Sequence, residues 1–262
     1  MDNSKLIKHI VKWLNSYSKN SNTKGFIIGV SGGIDSAVTS TLCCRTNLPT
    51  ICLEMPIHQS DKELERSKNH ILWLKNNYNN VESKYIDLTS SFEEIKSNLC
   101  DNSTEINNLA LANSRSRLRM LTLYYHAAIN NFLVVGTGNK VEDFGVGFYT
   151  KYGDGGVDIS PIADLMKSEV KDIGKEMGIN NEIIIADPTD GLWDDTRTDE
   201  VQIGATYNEL EWAMNELKKE KKVSDFNGRE REVFQILLNF NSSNKHKMIP
   251  IPICEIPNNL RV

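Results

Sequence analysis

The chain of 262 residues is long enough for one large domain or two small ones, each with a sizeable hydrophobic core. Its 30 basic and 35 acidic side chains give a formal net charge of −5, which argues against a protein that coats nucleic acid. No segment approaches the roughly 18 apolar residues of a membrane span, and the N-terminus has no apolar core of a signal peptide. We therefore expect a cytoplasmic protein without a nucleic-acid or membrane partner.

The cysteines do not predict a disulfide framework or a zinc site, because they form an odd set without a CxxC pair and no histidines have ligand spacing. Cys43 and Cys44 follow a strong motif inside an apolar stretch, and we interpret them as small buried apolar residues. The others are Cys52, Cys100 and Cys254.

Strand and helix patterns alternate through the first half of the chain. The predicted strands cover residues 26–30, 50–55, 84–88 and 132–135. The predicted helices cover residues 1–20, 36–42, 61–76 and 106–129, with one more helical stretch before the last. Tyr17 lies on the apolar stripe of the first helix, and Leu72 is an apolar residue of the third. This alternation predicts an α/β fold: a doubly wound, mostly parallel sheet with helices on both faces and ligands at the carboxyl ends of its strands.

The second half begins with a glycine-crowded stretch after Gly136 that has little periodicity, and we interpret it as a functional loop. Helical patterns return at residues 168–177, 206–217 and 229–240. We expect one domain, residues 1–262, in which the helical C-terminal part packs on the sheet.

The sequence S-G-G-I-D-S at residues 31–36 follows the first predicted strand and opens a helix. Glycines at such a turn leave backbone N–H groups free to converge on an anion, and the serine hydroxyls add donors. Asp35 would repel phosphates unless it held a Mg²⁺ that the phosphates share, so the loop predicts a nucleotide with magnesium. It is neither a Walker A motif nor a G-x-G-x-x-G fingerprint. The alternative is a plain turn in which Asp35 or Ser36 caps the helix.

The complete S-G-G-x-D-S pattern resembles the pyrophosphate loop of the N-type ATP pyrophosphatases, which cleave ATP between its α and β phosphates. Further segments resemble the ammonia-dependent NAD⁺ synthetases of that superfamily. They are N-S-R-S-R-L-R-M at 113–120, G-T-G-N-K-V-E at 136–142, F-Y-T-K-Y-G-D-G-G-V-D at 148–158, S-P-I-A-D-L-M-K at 160–167, D-P-T-D-G-L-W at 187–193 and H-K at 246–247. The chain departs from the family's pattern twice: the interval from Glu142 to Lys151 is one residue longer, and Met248 replaces a basic residue.

The resemblance implies an adenine nucleotide alpha hydrolase-like fold, a homodimer and a defined set of site residues. ATP would contact Gly29, Ser31, Gly32, Gly33, Asp35, Ser36, Met55, Thr137, Lys167 and Thr189. Deamido-NAD would contact Asn113, Arg117, Lys151, Asp154, Asp158, His246 and Lys247. Asp35 and Glu142 would share Mg²⁺.

The implied reaction joins ammonia to the nicotinate carboxylate of deamido-NAD after ATP has adenylated it, with AMP and pyrophosphate as the other products. Asp35, Lys167 and Asp154 would be the catalytic residues: Lys167 would neutralise the pyrophosphate and Asp154 would help to remove a proton from ammonium. On a helix, Asn113 and Arg117 stand four residues apart and are expected to share one face. The resemblance spans roughly residues 25–250 and leaves no room for a glutaminase domain, so free ammonia is the expected nitrogen donor.

Two other functions fit the glycine loop. One is an RNA-modifying ATP pyrophosphatase that adenylates a tRNA base, although the chain lacks the basic surface expected of such an enzyme. The other is a nucleotide-binding module without catalysis, against which Asp35, Glu142 and Lys167 together argue.

Overall fold

The computed structural model describes residues 2–99, 105–189, 191 and 197–261. Four strands form one parallel sheet in the order β3-β2-β1-β4, which confirms the predicted α/β fold. The strands are β1 Gly25–Gly29, β2 Thr50–Glu54, β3 Val81–Tyr85 and β4 Phe132–Val134. The strand order changes direction between β1 and β4. In open parallel sheets the crevice outside the carboxyl ends of two such strands is the usual ligand site.

Helices account for most of the remaining described chain. They are α1 Asn3–Asn20, α2 Ile34–Cys44, α3 Asp61–Asn77, α4 Thr89–Leu99, α5 Glu105–Asn130, α6 Lys167–Glu176, α7 Asn181–Ile184, α8 Asp199–Ile203, α9 Tyr207–Lys218, α10 Gly228–Ser243 and α11 Lys245–Met248. Within the described ranges, none of the helices combines the length and the apolar character needed to cross a membrane.

The sheet buries both of its faces, as a doubly wound fold requires. In β1, Phe26 and Ile28 pack into the core formed with α1, α2 and α6, whereas Ile27 packs on the opposite side into the core with α4 and α5. All three side chains are completely buried. A third core, around Leu210 and Phe234, joins α8, α9 and α10 to the chain that follows β4, in agreement with the predicted helical C-terminal part.

The third strand lies three residues before its predicted position, at 81–85 instead of 84–88. It is the edge strand of the sheet and is only partly buried, so it carries little of the apolar signal that marks a buried strand. The apolar residues that suggested the later position extend past the strand, where the backbone N–H of Leu88 donates to the carbonyl oxygen of Pro56 at 3.0 Å. Leu88 is buried there.

The glycine-crowded stretch contains a π-helix, Val141–Val146, where the sequence predicted an irregular loop. A π-helix closes its hydrogen bonds over one more residue than an α-helix, and such turns often occur at functional sites. The extra residue between Glu142 and Lys151 falls in or just after this turn.

Several apolar residues of the predicted helices remain at the surface, among them Tyr17, which is 40% exposed, and Leu72, which is 58% exposed. Cys43 and Cys44 are completely buried, which confirms their interpretation, and Cys52 is buried with them. Cys254 is exposed, and Cys100 lies outside the described residues.

Candidate active site

A cavity of about 680 Å³ opens at the carboxyl ends of β1, β2 and β4. Most of the predicted site residues line it: Gly29, Ser31, Gly33, Asp35, Ser36, Met55, Asn113, Thr137, Glu142, Asp154, Lys167, Thr189 and Lys247. The predicted residues outside the lining are Gly32, Arg117, Lys151, Asp158 and His246. The cavity therefore brings together nearly all of the predicted ATP positions but only three of the seven predicted dinucleotide positions.

The glycine loop turns sharply from β1 into α2 against the side of α3. Gly32 has a φ of +85°, and a Cβ atom there would lie 2.7 Å from the carbonyl oxygen of Glu63. Gly33 occupies the N-cap position of α2 and makes no side-chain capping bond. Asp35 and Ser36 lie inside the first turn, so the alternative in which one of them caps the helix is wrong. The N-terminal N–H groups of α2 are thus directed toward the cavity, as an anion cradle requires.

Hydrogen bonds hold this loop in place, several of them between neutral groups and one from the Arg66 guanidinium to the Gly32 carbonyl oxygen at 3.2 Å. The Ser36 hydroxyl lies 3.2 Å from the Ser31 hydroxyl and donates to the Gly33 carbonyl oxygen at 3.0 Å. From α3, the Ser67 hydroxyl donates to the Val30 carbonyl oxygen at 3.0 Å. The backbone of the loop is therefore positioned without any charge of its own except Asp35.

A lysine joins two carboxylates at the back of the cavity. Lys167 is the first residue of α6, and its Nζ lies 2.5 Å from Oδ2 of Asp35 and 3.0 Å from Oε1 of Glu142. Only 3% of Lys167 is exposed. The three residues come from α2, the π-helix and α6, and burial strengthens the attraction between their charges.

The cluster changes the acidity of each member. Burial raises the pKa of Asp35, although the Lys167 ammonium opposes that rise. Burial would also raise the pKa of Glu142, but Lys167 and a hydrogen bond from Tyr207 hold it below its ordinary value. Burial alone would lower the pKa of Lys167, and the two carboxylates instead raise it. Lys167 is therefore a permanent cation of the site.

Two positions that the motif analysis did not select complete the cluster. The Tyr207 hydroxyl donates to Oε1 of Glu142 at 2.6 Å, and its oxygen lies 3.2 Å from Oδ2 of Asp199. The amide of Asn139, which is fully buried, donates to Oδ1 of Asp35 at 3.3 Å. Asn139 stands inside the G-T-G-N-K-V-E segment and could have been chosen there, whereas no local pattern distinguishes Tyr207.

The pair of carboxylates fits a magnesium ion shared with phosphates. Both reach one ammonium at 3.0 Å or less, so a cation between them is already part of this geometry. Mg²⁺ is commonly held by one or two carboxylates, with phosphate oxygens and waters as the other ligands. Among the described residues no group of three or more acidic, histidine or cysteine side chains could hold a metal ion.

Asp154 also lines the cavity, from the glycine-rich turn, where its Oδ1 accepts hydrogen bonds from the Ser116 hydroxyl at 2.6 Å and the Thr150 N–H at 2.9 Å. Burial raises its pKa. The neighbouring Asp143 also lines the cavity, and burial together with the Glu142, Asp154 and Asp35 carboxylates raises its pKa to about 8. This side of the cavity is therefore rich in carboxylates that favour protons or cations.

Asn113 and Arg117 of α5, which were predicted to share one face, do not both line the cavity. Asn113 lines the cavity and accepts a hydrogen bond from the Thr150 hydroxyl at 2.6 Å, and Ser116 lines it as well. Arg117 is exposed and donates to the Lys151 carbonyl oxygen at 3.4 Å. On α5, Asn113 and Ser116 thus face the cavity, whereas Arg117 does not line it. Arg119, which was not selected, lines the cavity instead.

The remaining dinucleotide positions make internal contacts at or beyond the rim. Asp158 accepts hydrogen bonds from the Val134 N–H at 2.8 Å and the Tyr124 hydroxyl at 3.0 Å. Lys151 donates to the His246 carbonyl oxygen at 2.6 Å. Lys247 lines the cavity and donates to the carbonyl oxygens of Gly147 and Tyr149, each at 2.9 Å.

The segment that carries Thr189 reaches the cavity from the other side. The Thr189 hydroxyl donates to Oε1 of Glu63 at 3.3 Å, and Gln59 donates to the Gly191 carbonyl oxygen at 3.1 Å. Gln59 also accepts a hydrogen bond from Arg119 at 2.7 Å. The rest of the D-P-T-D-G-L-W motif, residues 190, 192 and 193, lies outside the described residues.

Comparison with known proteins identifies the same family as the motifs. The NAD synthase family matches residues 6–250. An NH(3)-dependent NAD(+) synthetase from Carboxydothermus hydrogenoformans is 39% identical over 207 residues, which cover 77% of this chain and 81% of that protein.

Two solved structures have the same fold over nearly the whole chain. An NMN synthetase from Francisella tularensis superposes with a TM-score of 0.84 at 28% identity, covering 98% of this chain and 99% of the other. An NH3-dependent NAD synthetase from Campylobacter jejuni superposes with a TM-score of 0.78 at 28% identity, covering 97% and 100%.

Proposed function

This chain belongs to the NAD synthase family and is a ligase that uses ATP as a substrate, and we propose that its reaction makes NAD⁺ from deamido-NAD and ammonia. The observation that carries the proposal is the cavity lined by both the glycine loop and the Asp35, Glu142 and Lys167 cluster. A phosphate cradle next to a buried cation is the arrangement that a reaction releasing pyrophosphate needs.

The reaction proceeds in two displacements. A carboxylate oxygen of the nicotinate ring attacks the α-phosphorus of ATP, the bond to the β-phosphate oxygen breaks, and pyrophosphate leaves. The nitrogen of ammonia then attacks the activated carbonyl carbon, and AMP leaves with the electrons of the C–O bond. Since no protein nucleophile is needed, the chain contributes positioning and charge.

The described residues divide this work between them. The N–H groups at the start of α2 and the Ser31 and Ser36 hydroxyls would hold the phosphates. Lys167 would offset the charge of the departing pyrophosphate, and Asp35 and Glu142 would hold Mg²⁺. When bound, Mg²⁺ would neutralise phosphate charge and favour departure of pyrophosphate. Asp154 would accept a proton from the incoming ammonium, because its buried carboxyl has a raised pKa.

A second candidate substrate is nicotinate mononucleotide, the carboxylate precursor of NMN. The NMN synthetase fold from Francisella tularensis supports it, with its TM-score of 0.84 over nearly the whole chain. Both substrates carry the same reacting carboxylate, so the site chemistry above serves either. The two candidates differ only in whether an adenylate half must also be bound.

We propose further that the protein is a homodimer and that residues 1–262 form one domain. On α5, Leu121, Tyr125 and Ile129 are four residues apart in turn and are 62%, 63% and 60% exposed, which makes an apolar stripe suited to a second copy. Light scattering should report a dimer, and Tyr125→Asp should dissociate it. A fully active monomeric wild type would contradict the dimer.

A contact between α6 and α9 supports the proposal of one domain. The Glu211 carboxylate of α9 accepts a hydrogen bond from the Ser168 N–H of α6 at 2.8 Å.

The reaction is tested by incubating the purified chain with ATP, Mg²⁺, ammonium and either deamido-NAD or nicotinate mononucleotide. We expect AMP, pyrophosphate and NAD⁺ from the dinucleotide, and a higher kcat/KM for it than for the mononucleotide. The reverse preference would select the second candidate. Glutamine should not replace ammonium, and AMP formed only in the presence of tRNA would support the RNA-modifying alternative instead.

The magnesium ligands are tested separately. Asp35→Asn and Glu142→Gln keep the shape of each side chain and remove its charge, so turnover should be lost while the fold remains. Near-normal rates for either variant at ordinary Mg²⁺ would show that its carboxylate is not a ligand.

A further inference from the structure

Tyr207 begins α9 directly behind the cluster of Asp35, Glu142 and Lys167, and the mechanism above does not use it. We propose that Tyr207 is a positioning residue whose hydroxyl orients the Glu142 carboxylate and whose ring supports the Lys167 ammonium, so that the cluster is set for magnesium-bound phosphates. This inference rests on the proposed function for the identity of the phosphate substrate.

The hydroxyl has one proton to donate, and the distances indicate where it goes. Its oxygen lies 2.6 Å from Oε1 of Glu142 and 3.2 Å from Oδ2 of Asp199. The shorter contact is that of a strong hydrogen bond to a carboxylate, so Glu142 is the acceptor. The Lys167 Nζ contacts the same oxygen at 3.0 Å. Two donors therefore fix Glu142 through one oxygen atom.

The ring makes an independent contact with the cation. The Lys167 Nζ lies 4.7 Å from the centroid of the Tyr207 ring. An ammonium over the face of a tyrosine is attracted by the ring, and the attraction is stronger where water is excluded. Because only 5% of Tyr207 is exposed, this contact is a desolvated one. The ring thus gives the Lys167 ammonium a contact in addition to its two carboxylate partners.

Tyr207 acts from behind the cavity wall. Glu142, Lys167 and Asp199 line the cavity, whereas Tyr207 is not among the described residues that do. A substrate in the cavity would therefore meet the residues that Tyr207 holds and would not meet Tyr207. This arrangement makes it a positioning residue instead of a catalytic one.

The backbone around Tyr207 is held firmly enough for that role. Thr206 and Glu209 form a capping box at the start of α9, and the Tyr207 N–H donates to Oε1 of Glu200 at 2.9 Å. The next turn of α9 places Leu210 in the third core with no exposed surface. The side chain therefore extends from a fixed helix end.

The test compares Tyr207→Phe, which removes only the hydroxyl, with Tyr78→Phe, which removes a hydroxyl that contacts Arg45 away from the cavity. Isothermal titration of ATP at increasing Mg²⁺ measures the magnesium needed for half-maximal binding. We expect Tyr207→Phe to raise that concentration and to lower kcat, each by about tenfold, because a hydrogen bond to a charged group is lost. KM for the nicotinate substrate should stay within about twofold, and Tyr78→Phe should match the wild type.

Two further variants separate the hydroxyl from the ring. Tyr207→Leu removes both contacts and should lower kcat further than Tyr207→Phe. In a Glu142→Gln background, Tyr207→Phe should no longer change the magnesium dependence of ATP binding, because the charged acceptor is gone.

Several outcomes would overturn the proposal. One is an unchanged magnesium dependence of ATP binding in folded Tyr207→Phe. Another is an equal effect of Tyr207→Phe on that dependence in the wild type and in Glu142→Gln. The third is loss of the folded state of Tyr207→Phe by calorimetry, which would assign the hydroxyl a structural role. If the wild type made no NAD⁺ or NMN, the proposed function would fail, whereas magnesium-dependent ATP binding would still test Tyr207.

Discussion

The glycine loop and the lysine–carboxylate cluster line one cavity and share Asp35, but different interactions hold them. The loop is contiguous in sequence, from residue 31 to 36, and apart from Asp35 its groups are backbone N–H groups and hydroxyls. Neutral hydrogen bonds and one bond from the Arg66 guanidinium hold it. The cluster takes Asp35, Glu142 and Lys167 from separate elements and holds them by charge, with Lys167 only 3% exposed.

The comparison shows which interactions keep the loop and the cluster in place. Removing one neutral partner from the loop costs a hydrogen bond, whereas removing one charge from the cluster leaves its partners buried and uncompensated. The loop should therefore be sensitive to backbone geometry and the cluster to charge.

The largest effect is expected for Lys167→Ala. It leaves the Asp35 and Glu142 carboxylates buried without a cation, and the free energy of unfolding should fall by about 3–5 kcal/mol, with loss of activity. Without Lys167 both carboxyl pKa values should lie above their unfolded values, so the deficit should shrink as the pH falls from 7.5 to 5.5 and they take up protons. Urea unfolding of the wild type and of Lys167→Ala at the two pH values measures this difference in the free energy of unfolding.

Lys175→Ala on the same helix is the matched control, because Lys175 pairs with Asp172 at the surface and its side chain is 61% exposed. It should change stability by less than about 0.5 kcal/mol. Equal losses for the two lysines would show that charge is not what holds the cluster.

The next effect concerns a contact between uncharged side chains of α2 and α3, the two helices next to the glycine loop. His70 of α3 lies 2.9 Å from the Ser40 hydroxyl of α2, and burial lowers its pKa from 6.5 to about 4. Between these values the unfolded chain binds a proton that the folded chain does not, so stability should fall by up to about 3 kcal/mol as the pH falls through this range. Urea unfolding from pH 7.5 to 4 should show that slope.

His70→Phe should flatten this part of the slope relative to the wild type, and His9→Phe at the exposed surface of α1 should not. An unchanged slope in His70→Phe would mean that other groups carry the acid sensitivity of the fold.

A smaller effect separates backbone conformation from close approach. Gly32 and Gly178 have φ values of +85° and +78°, but only Gly32 has neighbours within 4 Å of an added Cβ. Gly178→Ala should cost about 1–2 kcal/mol for the left-handed backbone alone. Gly32→Ala should cost more, because its Cβ would contact the Glu63 carbonyl oxygen. Thermal unfolding measures the difference; equal losses would refute the tight contact of the loop with α3.

The smallest effect on stability is expected for Gly33→Ala. Gly33 has a φ of −90°, and the atom nearest to an added Cβ is Oγ of Ser31 at 3.4 Å. The substitution should cost less than about 1 kcal/mol of stability, as expected at an N-cap. It should still weaken ATP binding, measured by titration calorimetry, because a methyl group would enter the phosphate cradle. Unchanged ATP affinity would place the phosphates elsewhere.

Much of the fold follows from local sequence patterns. The strands at Gly25–Gly29 and Thr50–Glu54 are buried on both faces, so continuous apolar runs marked them clearly. The edge strand Val81–Tyr85 is partly exposed, and its pattern was too weak to locate it within three residues. The π-helix has no sequence signature of its own, although the longer interval after Glu142 was visible in the sequence.

The sequence by itself determined the glycine loop and the identity of the charged residues. The proposed phosphate cradle consists of consecutive residues, and a local motif is enough to identify such residues. Only the tertiary structure decided which charges meet. Tyr207 is separated from Glu142 by 65 positions yet donates to it at 2.6 Å, and Arg117 does not line the cavity although its motif suggested that it would. The physical reason is that burial and the packing of distant elements set the distances between charges, and no local pattern encodes those distances.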